Sequence, residues 1–208
     1  MKKPNLILFG PGGHACSCID VIEHQGKFDI AGFVTPKEGF QNEFMGYPIL
    51  GIDSDIPELV KRFENAFITV GQIKSAQVRM RIFDQASASG FKFPTIISPN
   101  AYVSRHAKLG DGTIVMNGAI VNAGATIGKN CIVNTNALIE HDSIIEDHCH
   151  ISTGALINGE VIIGSSSFVG SGSVIKQGIK LGKGCIVGMG LSVRYDYAEN
   201  SKILTNTK

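Results

Sequence analysis

The residues best suited to chemistry are histidines with acidic neighbours. Four of the six histidines, His106, His141, His148 and His150, lie in the second half of the chain. His141 sits in the run Ile139-Glu140-His141-Asp142. A carboxylate beside an imidazole fixes one tautomer and raises the basicity of the other nitrogen. Such a group can take a proton from an attacking amine or hydroxyl. The orienting carboxylate is Glu140 or Asp142, and Asp142 is taken as the partner. His148 and His150 flank Cys149, which strand alternation would place on the opposite side, so a metal site has to be weighed as well.

A second chemical signal lies at the front. The apolar run Asn5-Leu6-Ile7-Leu8-Phe9 leads into Gly10-Pro11-Gly12-Gly13-His14-Ala15 and then a helical stretch, Ala15 to His24. Strand, glycine turn and helix let backbone N–H groups approach a phosphate at a helix N-terminus. Gly10, Gly12 and Ala15 satisfy a loose G-x-G-x-x-A. A dinucleotide site also needs an acid at the end of the second strand. That strand ends Phe33-Val34-Thr35-Pro36, which argues against a nicotinamide oxidoreductase.

The element that must position His141 announces itself by a period of six. Val103, Leu109, Val115, Val121, Ile127, Val133, Ile139, Ile145, Ile151, Ile157, Ile163, Val169, Ile175, Leu181, Val187 and Val193 form an unbroken aliphatic ladder. This is the pattern of a hexapeptide-repeat parallel β-helix, with three hexapeptides to a coil of eighteen. Four places after each aliphatic lies a column of mostly small residues that includes Cys131, Cys149 and Cys185, which therefore read as packing. The position directly after each aliphatic is rich in Gly, Asn and Glu, and is expected to supply the positive φ of the corners. The position before it is apolar (Ile120, Ile132, Leu138, Ile144, Leu156, Phe168), pointing to an outer wall used for self-association in a cyclic oligomer. In this frame His141 lies between Ala123 and Gly159, with open space on both sides. His150 interrupts the apolar column and needs a partner or a task.

Strand candidates at Asp29–Thr35, Ala66–Val70 and Lys92–Ile97, with a helix at Gln77–Ala88, predict a small parallel α/β sheet before the repeat. The expected division is residues 1–98, a Rossmann-like domain, and 99–208, a left-handed β-helix with a short tail. Nineteen basic and eighteen acidic residues leave no basic footprint for nucleic acid. No apolar run is long enough for a membrane span. Met1-Lys2-Lys3-Pro4 leads straight into the first strand without a signal-peptide core, and Cys16 and Cys18 match no zinc or redox spacing. A reducing cytoplasm is the expected location.

These motifs resemble the NeuD-type acetyltransferases of bacterial surface-glycan biosynthesis. The resemblance rests on Gly10-Pro11-Gly12-Gly13-His14, Val70-Gly71, Asn134-Thr135, Ile139-Glu140-His141-Asp142, His150-Ile151-Ser152-Thr153-Gly154-Ala155 and Gly159. It implies a homotrimer with acetyl-CoA as co-substrate between adjacent β-helices, no metal, and a nucleotide-linked 4-amino sugar on the N-terminal domain. By that resemblance His141 is the general base with Asp142 beside it. His150 lies by the thioester, and Gly159, Ser171 and Gly188 border the pantetheine arm. Gly10, Gly12, Gly13, His14, Thr35 and Gly71 line the nucleotide-sugar site. The chain departs from the family in lacking acids after the second strand and a Gly-x-Pro-Ala-Lys/Arg ending. The alternatives are O-acetylation of sialic acid or a related sugar, a zinc lyase like the γ-class carbonic anhydrases, whose widely spaced histidine triad is not visible, and a catalytically silent trimeric scaffold.

Overall fold

In the computed structural model, which describes residues 3–37 and 42–205, the first apolar run forms strand β1 (Asn5–Phe9), with Leu6 to Phe9 fully buried. Met1, Lys2 and residues 206–208 of the tail lie outside the described residues. Helix α1 (Gly13–Gln25) turns Ala15, Cys18, Ile19, Val21 and Ile22 inward. It stops at Gly26, whose left-handed φ of 67° lets its N–H reach Ile22 O. Then follow β2 (Asp29–Thr35), β3 (Glu43–Phe44), β4 (Tyr47–Ile52), α2 (Ile56–Leu59), β5 (Asn65–Ile68) and α3 (Gln77–Ser89).

The sheet order is β3-β4-β2-β1-β5, parallel except where β3 meets β4. Its core holds Ile7, Phe9, Val34, Ile68 and Phe83. Strand order reverses at β1, which has β2 on one side and β5 on the other. Open α/β sheets leave a ligand crevice at the carboxyl ends of strands at such a point. Two features depart from the sequence expectation. The β3–β4 hairpin completes one edge; Pro48 and Gly51 interrupt its apolar residues and hide it from a period-two search. Lys92–Ile97 is not a strand of this sheet: Lys92 makes a single bridge to Asn65, and Ile96–Ile97 pairs into the β-helix instead.

The ladder builds a left-handed parallel β-helix with three walls of two-residue strands, each paired with that of the next coil eighteen residues on, except at the end, where Ile186 pairs with Lys202. Among the described residues the Leu138 wall has six strands, the Ile144 wall five and the His150 wall seven. From Val115 to Val193 every aliphatic of the ladder is at most 2% exposed, whereas Ile144, next to buried Ile145, is 42% exposed. The alternation of a β-strand is thus kept within each two-residue rung. The small inner column is buried, and its hydroxyls bond backbone of adjacent coils: Ser143 Oγ donates to Asn158 O (2.8 Å) and accepts from Val161 N–H (3.3 Å). The outward column differs from wall to wall. Ile114 and Ile132 on the His150 wall are fully buried, while Tyr102, Ile120 and Leu156 on the Leu138 wall are exposed.

The corner glycines need a correction. From Leu109 to Val187, positive φ falls three places after each aliphatic, at Gly112, Gly118, Gly124, Asn130, Asn136, Asp142 and their successors, not one place after it. Glycine directly after the aliphatic has another cause. A Cβ on Gly110 would lie 2.5 Å from backbone of Gly128, and one on Gly164 2.5 Å from Gly182. There it is close stacking of coils that requires glycine. Contacts divide the chain into two units, one of residues up to Gly71 with Gln77–Ile96, the other of Gln72–Ala76 with all residues from Ile97.

Candidate active site

His141 lies on the corner that follows the Leu138 wall. Its Nδ1 is 3.0 Å from Asp142 Oδ2. A carboxylate only accepts, so Nδ1 carries the proton and Nε2 is left as the basic nitrogen. The other carboxylate is engaged elsewhere: Glu140 Oε2 accepts from Asn122 Nδ2 (2.9 Å) and from the His141 backbone N–H (3.3 Å). The Asp142 hydrogen bond raises the His141 pKa above its usual value; desolvation opposes it, and the charges of Asp142, Glu140 and Glu160 add to it. Adjacent coils make room for the pair. Asp142 has φ 58° and its carboxylate lies against Gly124, one coil below. A Cβ on Gly159, one coil above, would stand 2.6 Å from His141 Nε2. The space expected beside His141 is therefore occupied by the imidazole itself, and glycine is what admits it.

His150 is a different kind of histidine. It is 6% exposed and edge-on to Phe168, with ring centroids 5.2 Å apart. Its Nδ1 donates to Gln72 O (2.6 Å), and its Nε2 accepts from Asn134 Nδ2 (3.1 Å). The orientation of that amide follows from Asn134 Oδ1 accepting the Thr135 N–H at 2.8 Å. The relay holds His150 neutral, with the proton on Nδ1. His148 bonds Asn130 instead (3.0 Å), so the two histidines flanking Cys149 serve separate partners.

His150, Asn134 and Ser152 stand at one end of a groove of about 760 Å³ that also borders Ser171 and Gly188 and reaches Met189 and Leu204. Ser171 Oγ lies 2.9 Å from Ser152 Oγ. Three of the four residues assigned to the acetyl donor, His150, Ser171 and Gly188, thus share this groove. Gly159 is on the His141 edge. Ile73 and Lys74, from Gln72–Ala76, also line the groove. Nothing in the sequence Gln72-Ile73-Lys74-Ser75-Ala76 marks it as part of the β-helix unit.

In the N-terminal unit, Gly10, Gly12, Gly13, His14 and Gly71 gather at the carboxyl ends of β1 and β5. Gly10 has φ 93°, and a side chain there would run into Val70 Cγ2. Gly12 caps α1 without a side-chain bond, and nothing lies within 4 Å of a Cβ built on Gly12 or Gly13. The helix start is therefore open to an anion. Gly71 approaches His14, whose Cβ would be 3.3 Å from a Cβ on that glycine. Thr35, at the end of β2, is buried and gives its hydroxyl to Lys37 O (3.0 Å). Arg79, not singled out in the sequence, is buried in α3 and binds Ile68 O (3.3 Å) and Val70 O (2.5 Å), securing the β5 exit.

Comparison with known proteins gives the family. Residues 5–86 match the PglD N-terminal domain, 124–159 the bacterial transferase hexapeptide (six repeats), and 160–194 the hexapeptide repeat of succinyl-transferase. No curated protein matches the sequence. Among solved structures, the acetyltransferase domain of PglB from Neisseria gonorrhoeae, in complex with acetyl coenzyme A, is 30% identical, with 96% of this chain and 95% of that chain covered and a TM-score of 0.88. A perosamine N-acetyltransferase from Caulobacter crescentus, a histidine-to-asparagine mutant in complex with CoA and GDP-perosamine, is 28% identical, with 97% and 93% covered and a TM-score of 0.89. WeeI from Acinetobacter baumannii, at 21% identity, 98% and 97% coverage and a TM-score of 0.84, shares the fold. With its PglD-type first domain, its hexapeptide β-helix and a relative at this identity over nearly its whole length, the chain belongs to the NeuD-type sugar acetyltransferases.

Proposed function

We propose that this chain moves acetyl from acetyl-CoA to the amino group of a nucleotide-linked 4-amino-deoxy sugar in bacterial surface-glycan biosynthesis, in the cytoplasm. The observation that carries the reading is the His141–Asp142 pair, 3.0 Å apart, with Nε2 left basic beside Gly159. The sugar amine attacks the thioester carbonyl, and His141 Nε2 takes its proton as the C–N bond forms. The tetrahedral intermediate then breaks its C–S bond, and the departing thiolate recovers the proton from His141. Positioning of two bound substrates supplies much of the rate, and no covalent enzyme intermediate is needed. His150 has both nitrogens committed, so it shapes the thioester end of the groove, and Ser171 and Gly188 flank the pantetheine arm. The nucleotide phosphates lie at the open start of α1, against Gly12, Gly13 and His14, with Gly10, Thr35 and Gly71 bordering the sugar nucleotide.

Three copies of the chain meet through the apolar Leu138 wall, where Tyr102 is 59%, Ile120 40% and Leu156 37% exposed. That arrangement brings the His141 edge of one subunit to the His150 groove of the next. Nitrogen is favoured as acceptor by the Caulobacter relative, a perosamine N-acetyltransferase in complex with GDP-perosamine. Thiol release from acetyl-CoA, measured with a panel of UDP-, dTDP- and GDP-linked amino sugars, tests the reading. Release with at least one 4-amino sugar is expected. Release only with a free nonulosonic acid would replace it with O-acetylation, and stoichiometric zinc in active protein would revive the lyase.

A further inference from the structure

Of the three carboxylates whose charge reaches His141, two are already engaged. Asp142 holds Nδ1, and Glu140 accepts from Asn122 and from the His141 backbone N–H. The third, Glu160, is exposed. Among the described residues its carboxylate takes part in no hydrogen bond or ion pair, Lys176 of the next coil included. Its backbone, by contrast, is fixed beside the base. The Glu160 N–H donates to His141 O across one coil (3.0 Å). Glu160 also directly follows Gly159, whose Cβ position is 2.6 Å from His141 Nε2. Consecutive Cα atoms are about 3.8 Å apart, so the Glu160 arm starts next to the basic nitrogen. The corner itself does not call for this residue. Glu160 has φ 61°, a conformation that Gly124 and Gly178 fill in the same column without steric cost.

We infer that Glu160 is the second hydrogen-bond acceptor for the attacking amine and selects nitrogen over oxygen, an inference that rests on the reading of His141 as base in acetyl transfer. A primary amine has two N–H groups and one lone pair. With one N–H on His141 Nε2 and the other on a Glu160 oxygen, the lone pair is left to face the thioester carbonyl. As the C–N bond forms, the nitrogen gains positive charge, and the adjacent carboxylate stabilises it. His141 takes the proton and Glu160 takes none. A sugar hydroxyl has a single O–H. Once that is given to Nε2, Glu160 faces only oxygen lone pairs, and two acceptors repel. A site built to pair every N–H of its substrate rejects the analogue that leaves one of its own groups unpaired. Asp142 cannot take this place, because its Oδ2 is held at the other imidazole nitrogen.

The test is calorimetric titration of the full-length protein with two ligands. One is the nucleotide-linked 4-amino sugar that gives the fastest thiol release; the other is the hexose on the same nucleotide, with a hydroxyl in place of the amine. Glu160→Gly suits the positive φ of the corner, so the fold is kept. In that variant the ratio of amino-sugar to hexose affinity falls about tenfold, while hexose and CoA affinities stay near wild type. Glu160→Gln, which keeps an acceptor oxygen without the charge, lies between the two. An unchanged ratio in Glu160→Gly would overturn the inference, as would an equal loss on both ligands. A wild-type protein that releases thiol with no amino sugar would instead refute the reading of the reaction, and this inference with it.

Discussion

His141 and His150 are nine residues apart on one β-helix, yet their surroundings give them opposite capacities. His141 stands half-exposed on a corner, with Asp142 holding Nδ1 and Nε2 left basic. His150 is buried in a wall, with Gln72 and Asn134 consuming both nitrogens. One is arranged to exchange a proton, the other to keep one in place. The difference lies in the partners rather than in the residue type, and the proposal of His141 as base rests on it.

Both histidines depend on the same core, so the largest effect comes from removing it. Ile145→Asp places a carboxylate at a position 1% exposed in the aliphatic ladder. That forfeits about 1.5–3 kcal/mol of side-chain burial and adds an unpaired buried charge. No folded protein is expected by circular dichroism or size-exclusion chromatography; a soluble, cooperative trimer would show the core register to be wrong. Next is His141→Ala, for which kcat/KM for acetyl transfer falls by about a hundredfold or more. The melting temperature stays near wild type, since the side chain is an exposed one. His150→Phe inverts that pattern. It leaves the Gln72 carbonyl and the Asn134 amide without their partner and costs about 1–3 kcal/mol of stability in denaturant unfolding. Activity at a temperature where the variant is folded falls less than in His141→Ala. Were His150→Phe the more damaging change to turnover and His141→Ala the more damaging to stability, the assignment would be reversed. A smaller effect belongs to Gly159→Ala, whose methyl meets the imidazole 2.6 Å from Nε2. Displacing the ring lowers kcat by about tenfold with little change in the KM for acetyl-CoA.

The sequence made one side of this comparison more legible than the other. The sixfold ladder needs only residue type and spacing, and its core column is buried as the period demands. His141 was legible because its stacked neighbours, Ala123 and Gly159, are counted off in eighteens. What holds His150 was not. Gln72 is 78 residues away in a segment outside the sixfold ladder, and only the folded chain brings its carbonyl to Nδ1. The corner glycines were misread because two causes, positive φ and tight stacking of coils, select the same residue in different columns. The β3–β4 hairpin and the fate of Lys92–Ile97 depended on pairing partners, which a strand's own sequence does not name.

The central claim is that Asp142 makes His141 the base. Its direct test is the pH dependence of kcat/KM for wild type and Asp142→Asn with the same acceptor. The Asp142 hydrogen bond and charge favour the imidazolium, raising its pKa above the usual 6.5. The basic form is therefore lost as pH falls through that raised value, and activity falls with it. In Asp142→Asn the hydrogen bond to a carboxylate and its charge are gone, so the acid limb moves to lower pH and the plateau drops. An acid limb that stays in place when Asp142 becomes Asn would contradict the account.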